Sequence, residues 1–346
     1  LFFYDGGGWI NKAPVELSQS DVIALSVSPD GEPWVSTKQF GVSLRRDDDS
    51  WVQYTKLRTS TDPAGLSYFS FMFGFLIDSR GFLWCNTLGF DLDRVAVNDP
   101  AVPDDDVWTH YALNTGTITS NRYVRIREDP AGNRWFLSDN DVEGLWGIDI
   151  LSADGASWLA VNPSVESRMA GGVVFDVAFG ANGTAYLALR NYGLQAWMTG
   201  GYDWAHLSSL AADSWSTPIG PEDLASKVVY CCERGTDGTL WLGTASGLTR
   251  YRAGVIDSFS VKTRPGGSGL LGALVYDLEY DGEGNLWVAT DQGLNRIDPD
   301  DNIAAYTTFA AWQGSLYASS VISPLPSAVC RALAYDAGGD FLWIGT

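Results

Sequence analysis

Histidine, cysteine and methionine are scarce in this chain of 346 residues, which holds two, four and three of them. No H-E-x-x-H zinc site, G-x-S-x-G nucleophile elbow or phosphate-binding glycine loop occurs. Cys85, Cys231, Cys232 and Cys330 have neither metal-ligand spacing nor a disulfide framework. They are expected to be buried free thiols that pack as small hydrophobes, and neither a metal nor a cofactor is expected. Basic residues are also few. Against 42 Asp and Glu stand 22 Lys and Arg, a formal net charge of −20. Such a chain does not suit a nucleic-acid backbone, which is neutralised by clustered cations, nor an anionic membrane surface. No apolar run approaches the roughly 20 residues that span a bilayer, so no membrane insertion is expected. No charged and apolar leader opens the chain, and any signal peptide is expected to have been removed or to lie outside it.

Glycine and aromatics are plentiful: 38 Gly, 15 Trp, 15 Tyr and 15 Phe. They recur in order. Asp237-Gly238-Thr239-Leu240-Trp241-Leu242-Gly243-Thr244, followed by Gly247-Leu248, reads as a tight turn, a short alternating strand and a second turn. Glu283 to Thr290, followed by Gly293-Leu294, repeats it. The aromatic anchor recurs at Trp34, Trp84, Trp135, Tyr186, Trp241, Trp287 and Trp343, at separations of 46 to 56 residues. A second aromatic opens the last strand of each unit, at Trp9, Trp51, Trp108, Trp158, Trp204, Phe259 and Tyr306.

Each unit therefore reads as four short antiparallel strands, and their number predicts an all-β, seven-bladed β-propeller spanning residues 1–346 as one domain. The seventh anchor is followed by no motif glycine, whereas Leu1-Phe2-Phe3-Tyr4-Asp5 resembles the third strand of the repeat. Residues 1–12 are accordingly expected to complete the blade begun by residues 329–346, with Phe2 to Tyr4 beside Leu342 to Gly345.

Strand direction places the second-to-third turns and the blade connectors on one face. The connectors there are long, 22 to 26 residues between equivalent positions at Trp51–Phe73, Trp204–Tyr230 and Tyr306–Arg331, and long loops gathered on a rigid scaffold are where binding concentrates. Candidate ligand-binding residues on that face are Lys38, Phe40, Arg122, Tyr123, Asp141, Arg190, Tyr192, Trp215, Asp291, Gln292, Trp312 and Tyr317. Aromatic planes beside amides and charges suit a sugar ring; any single one of these aromatics is more simply expected to pack its own loop. In the first strands, Ile23 and Leu25, Phe73 and Phe75, Val124 and Ile126, Phe175 and Val177, and Tyr276 and Leu278 form an apolar set. The interleaved Arg125, Arg127, Asp176, Glu233, Asp277 and Glu279 are expected around the axial channel, as compensating charges or as a ligand site.

The unit D-x-x-G-x-L-W-x-G-T-x-x-G-L-x-R-Y, closest at Asp237 to Tyr251 and Gly282 to Ile297, resembles the two-component regulator propeller repeat. The resemblance implies a seven-bladed extracytoplasmic sensor module of bacterial hybrid histidine kinases or related secreted proteins, often binding saccharides and located in the periplasm or outside the cell. Its motifs specify strands and turns. Streptogramin-type lyases share the architecture but use a histidine near the top centre, whereas His110 and His206 are expected in outer, fourth strands. Carboxylates for glycoside cleavage, such as Asp139, Asp141, Glu143 and Asp291, are available on the connector face, as chance alone provides in so acidic a chain. The expectation is a non-catalytic propeller that binds a small molecule or glycan. The alternatives are a propeller that engages a protein partner in a surface or secretion assembly and, ranked last, a lyase or carbohydrate-active enzyme.

Overall fold

The structure, a computed structural model, describes residues 2–4, 9–11, 21–38, 41–46, 48, 50–54, 66, 72–87, 91–98, 106–113, 115–140, 146–171, 173–210, 213–261, 269–307, 325 and 327–346. The repeat motif works locally. Before the anchor strand, a turn aspartate accepts two backbone N–H groups and then the anchor indole. Asp78 accepts from Arg80, Phe82 and Trp84 Nε1 (2.8 Å), and Asp281 from Glu283, Asn285 and Trp287 Nε1 (2.8 Å). In the unit of Trp241 the equivalent residue is Gly235, and the indole donates instead to Tyr280 Oη of the next unit. The indoles are thereby buried with their N–H satisfied, as a buried donor requires. After the anchor strand, Gly293 sits at φ 142°, and a Cβ there would lie 2.4 Å from the Tyr306 carbonyl. Only glycine fits that turn.

Six sheets are each built from four consecutive antiparallel strands, within residues 22–54, 72–111, 123–161, 174–219, 229–259 and 275–306; these are blades 1 to 6. The expectation of a closed ring of seven four-stranded blades is corrected at the chain ends. Residues 329–346 themselves contribute only a two-stranded hairpin, Ala332–Asp336 with Phe341–Gly345. Beside it lie two strands from the opposite end, Phe2–Tyr4 (Phe3 opposite Trp343) and then Trp9–Asn11. These are three residues each, shorter than the five-residue strands of the hairpin. The molecule is thus six continuous blades plus a composite sheet of unequal halves. Leu1 and Lys12 lie outside the described residues.

Blade 4 departs from the repeat as well, and from a purely β reading. Trp204 and His206 do not open its fourth strand. Trp204–Leu207 is a short helix, with the Asp203 side chain accepting from the His206 N–H at its start. The outer strand follows at Ser214–Ile219, where Trp215 stacks on Trp197 at 5.3 Å and 5°. A side-chain cap and a local turn have here displaced the alternating pattern.

The core lies between neighbouring blades: Trp135, Ile150, Leu187 and Trp197 form one such cluster, and Trp241, Leu248, Leu278 and Val288 another. Each fully buried large side chain contributes about 1.5–3 kcal/mol. All four cysteines are buried and free. Among the described residues no helix is long and apolar enough to cross a membrane.

Candidate functional site

The innermost strands are Val22–Val27, Met72–Ile77, Tyr123–Glu128, Val174–Phe179, Val229–Arg234 and Val275–Tyr280 in blades 1 to 6, and Ala332–Asp336 in the composite sheet. In each of the six blades the register slips once, at the second residue of this strand. The skipped residues are Ile23, Phe73, Val124, Phe175, Tyr230 and Tyr276, and Arg331 stands before the seventh strand. A bulge leaves its extra residue outside the ladder and re-aims the side chain. Here all seven line a cavity of about 520 Å³ on the axis, at its connector end. Phe175 and Tyr230 meet at a tilt of 56° with ring centroids 5.8 Å apart, and the Arg331 guanidinium lies over the Tyr276 ring at 5.0 Å.

Below this rim the axis is divided. On one side the cavity is walled by Ala24, Ser26, Ala332 and Ala334, whose small side chains leave the space open. On the other side stand the charges. Arg127 donates twice to Asp176, both bonds 2.9 Å. Arg125 reaches across the axis to Asp277 of blade 6 at 2.8 Å, and lies 3.7 Å from Asp176. Asp176 is fully buried and also accepts the N–H groups of Val177 and Cys232. Burial alone would raise its pKa, but Arg125 and Arg127 outweigh burial and hold it below the usual carboxylate range. Burial would likewise lower Arg127, yet Asp176 keeps it well above its ordinary value.

Among the described residues, Glu233 and Glu279 are bonded to no arginine side chain. Glu233 accepts the Arg234 N–H, and burial pushes its pKa up to about 7 against the pull of Arg127. Burial and the neighbouring Glu233 charge drive Glu279 well above the carboxylate range. The pair thus carries less than its full charge at neutral pH.

The connector-face candidates are dispersed. Tyr123 is fully buried, its hydroxyl donating to Asp149, so it is packing rather than surface. Trp215 belongs to the outer strand of blade 4. Arg122 pairs with Asp139, which lines the cavity, at 3.1 Å. Asp291 accepts the Leu274 N–H and the Gln292 side-chain amide. Lys38, Arg190 and Gln292 are exposed, and Tyr192, 48% exposed, packs its ring against Gly171. Phe40, Asp141, Trp312 and Tyr317, with Glu143, lie outside the described residues. Sequence reasoning missed Tyr230 and Arg331, and assigned Phe73, Phe175 and Tyr276 to the apolar set. Their common repeat position was visible; the bulge that turns them to the axis was not.

Neither histidine is near this cavity. His110, on the outer strand Val107–Tyr111, contacts Asp93 at 2.7 Å, and His206 contacts Asp203 at 2.5 Å. His206→Ala and His110→Ala are therefore expected to leave the affinity of any axial ligand unchanged, measured by calorimetric titration. A loss of tenfold or more, about 1.4 kcal/mol, in a variant that still melts cooperatively would contradict that placement.

A family model described as the two component regulator propeller matches residues 269–292, the approach to blade 6 and its first two strands. No protein with a curated description matches the chain. Among solved structures, the extracellular domain of BT3049 from B. thetaiotaomicron, assigned as a hybrid two component system, is similar with a TM-score of 0.70 and 16% identity, covering 94% of this chain and 38% of that one. The extracellular domain of BT4673 from the same organism gives 0.55 and 13%, over 94% and 51%. A catalytically inactive histidine variant of virginiamycin B lyase from Staphylococcus aureus, with quinupristin, gives 0.60 and 15%, over 93% and 94%. The chain thus spans less than two thirds of the sensor domains and nearly all of the lyase. At these identities the fold is what is shared: the chain is a β-propeller, distantly similar to two-component sensor propellers.

Proposed function

We propose that this chain is a non-catalytic, ligand-binding propeller of an extracytoplasmic bacterial sensor or secreted protein, and that its ligand enters the axial cavity at the connector end. The observation that carries this reading is the repeated bulge, which brings Phe73, Phe175, Tyr230 and Tyr276 to the mouth of a cavity of about 520 Å³. That volume falls in the range of small-molecule sites, roughly 300–1,000 Å³. Aromatic faces above polar groups suit a saccharide, which has an apolar ring face and hydroxyls. The exposed Arg190, Tyr192, Lys38 and Gln292 would extend the contact outward. Binding is favoured over catalysis because Arg125, Arg127, Asp176 and Asp277 are bonded to one another and both histidines lie elsewhere. The extracytoplasmic placement rests on the similarity to extracellular sensor domains.

The test is a ligand screen by thermal shift, followed by titration of Phe175→Ala and Tyr230→Ala. Each is expected to weaken binding about tenfold, since a lost aromatic face removes on the order of 1 kcal/mol or more. Unchanged affinity in both would move the site elsewhere, and turnover of the bound ligand would overturn the non-catalytic reading.

A further inference from the structure

Four arginines stand on or beside the axis, and three are already engaged. Arg125 is bonded to Asp277, Arg127 to Asp176 and Arg122 to Asp139. Arg331 differs. Its backbone N–H donates to the Gly345 carbonyl, which fixes the chain. Its guanidinium lies over the Tyr276 ring, and it has no ion-pair partner among the described residues. It occupies the position that a bulged apolar or aromatic residue holds in blades 1 to 6, so it lines the same mouth. A guanidinium stacked on a ring face keeps its N–H edge free, and that edge matches the two oxygens of a carboxylate.

We propose that the axial cavity takes a small organic monoanion, a carboxylate on a flat or ring-shaped body, with the carboxylate held by Arg331 and the body against Tyr276, Tyr230 and Phe175. This rests on the axial cavity being the binding site. One unpaired cation balances one negative charge. A dianion such as a phosphate monoester would bring a second charge toward Asp277 and Glu279 with no cation left to meet it. The small residues Ala24, Ala332 and Ala334 leave room for the apolar body beside the ion pair.

Calorimetric titration of the whole chain with matched acids and neutral partners tests this: methyl glucuronide against methyl glucoside, and 3-phenylpropionate against 3-phenylpropionamide. At least one acid is expected to bind about tenfold or more tighter than its neutral partner, the worth of a charge-assisted bidentate contact. Arg331→Gln should bring that acid down to the neutral level, and Arg331→Lys should restore part of the difference, because the charge returns without the fork. Added salt should weaken the acid and leave the neutral partner alone. Equal affinity within both pairs, an acid indifferent to Arg331→Gln in a cooperatively melting protein, or no acid binding at millimolar concentration overturns the proposal. If neutral ligands bind and are lost in Phe175→Ala and Tyr230→Ala, the cavity remains the site and only the anion assignment falls. If a bound ligand ignores all three positions, both fall.

Discussion

Asp176→Asn is expected to lower the unfolding free energy by about 3–5 kcal/mol, the usual cost of breaking a buried ion pair by removing one partner. The carboxylate is fully buried, takes both bonds from Arg127, faces Arg125, and accepts the N–H groups of Val177 and, from the next blade, Cys232. An amide has the same shape but half the acceptors and no charge. It leaves the Arg127 guanidinium without its bonded counter-ion, whereas Arg125 keeps a bonded partner, Asp277. The comparison is Arg122→Gln, which breaks an ion pair whose arginine side chain is 44% exposed and should cost about 0–1 kcal/mol. Urea unfolding of both variants at neutral pH reads the difference, and an Asp176→Asn midpoint equal to that of the parent would sink the account. The sign with pH follows from the depressed pKa. The contribution of Asp176 is present above the unfolded carboxylate value near 4 and is lost as pH falls through the lower, folded value.

Glu233 and Glu279 should act in the opposite sense. Their folded pKa values are raised, Glu233 to about 7, so the folded state binds more protons than the unfolded chain above pH ~4.3. Stability should therefore fall as pH rises from about 5 to 8, through this pair. Glu279→Gln removes the second charge. Parent and variant are expected to unfold alike near pH 5, where the parent carboxyl is protonated, and to diverge by about pH 8. There the variant should be more stable by roughly 1–3 kcal/mol, a range discounted because the pair borders an open cavity. Denaturant unfolding across that pH range is the measurement. A variant with the same pH slope as the parent, or one less stable at pH 8, would show that the two carboxyls do not repel one another.

Much of this molecule is set by relations within a few residues. The turn aspartates, the anchor tryptophans six residues later and the glycines at positive φ are bound by local hydrogen bonds and backbone sterics, so the strands they delimit could be read from the chain. Alternation likewise singled out Arg125, Arg127, Asp176, Glu233, Asp277 and Glu279 as one facing set. In blade 4, locality misled: Trp204 has the repeat spacing, but the Asp203 cap and the Trp197–Trp215 stack gave the outer strand to Ser214–Ile219.

The amino-acid sequence by itself determined the repeat, the strands and the acidic, aromatic-rich character of the propeller, because turns and alternation are encoded within single units. Tertiary structure alone decided the rest. A bulge depends on how one strand pairs with its neighbour, so whether Tyr230 packs inward or faces the axis was not written in its residue type. Arg125 meets Asp277 across 152 residues of chain, and only the circular arrangement of blades brings them together. Tyr123 became core when the strand start closed over it. Among the described residues Arg331 has no ion-pair partner, because Asp277, Asp176 and Asp139 are bonded to Arg125, Arg127 and Arg122.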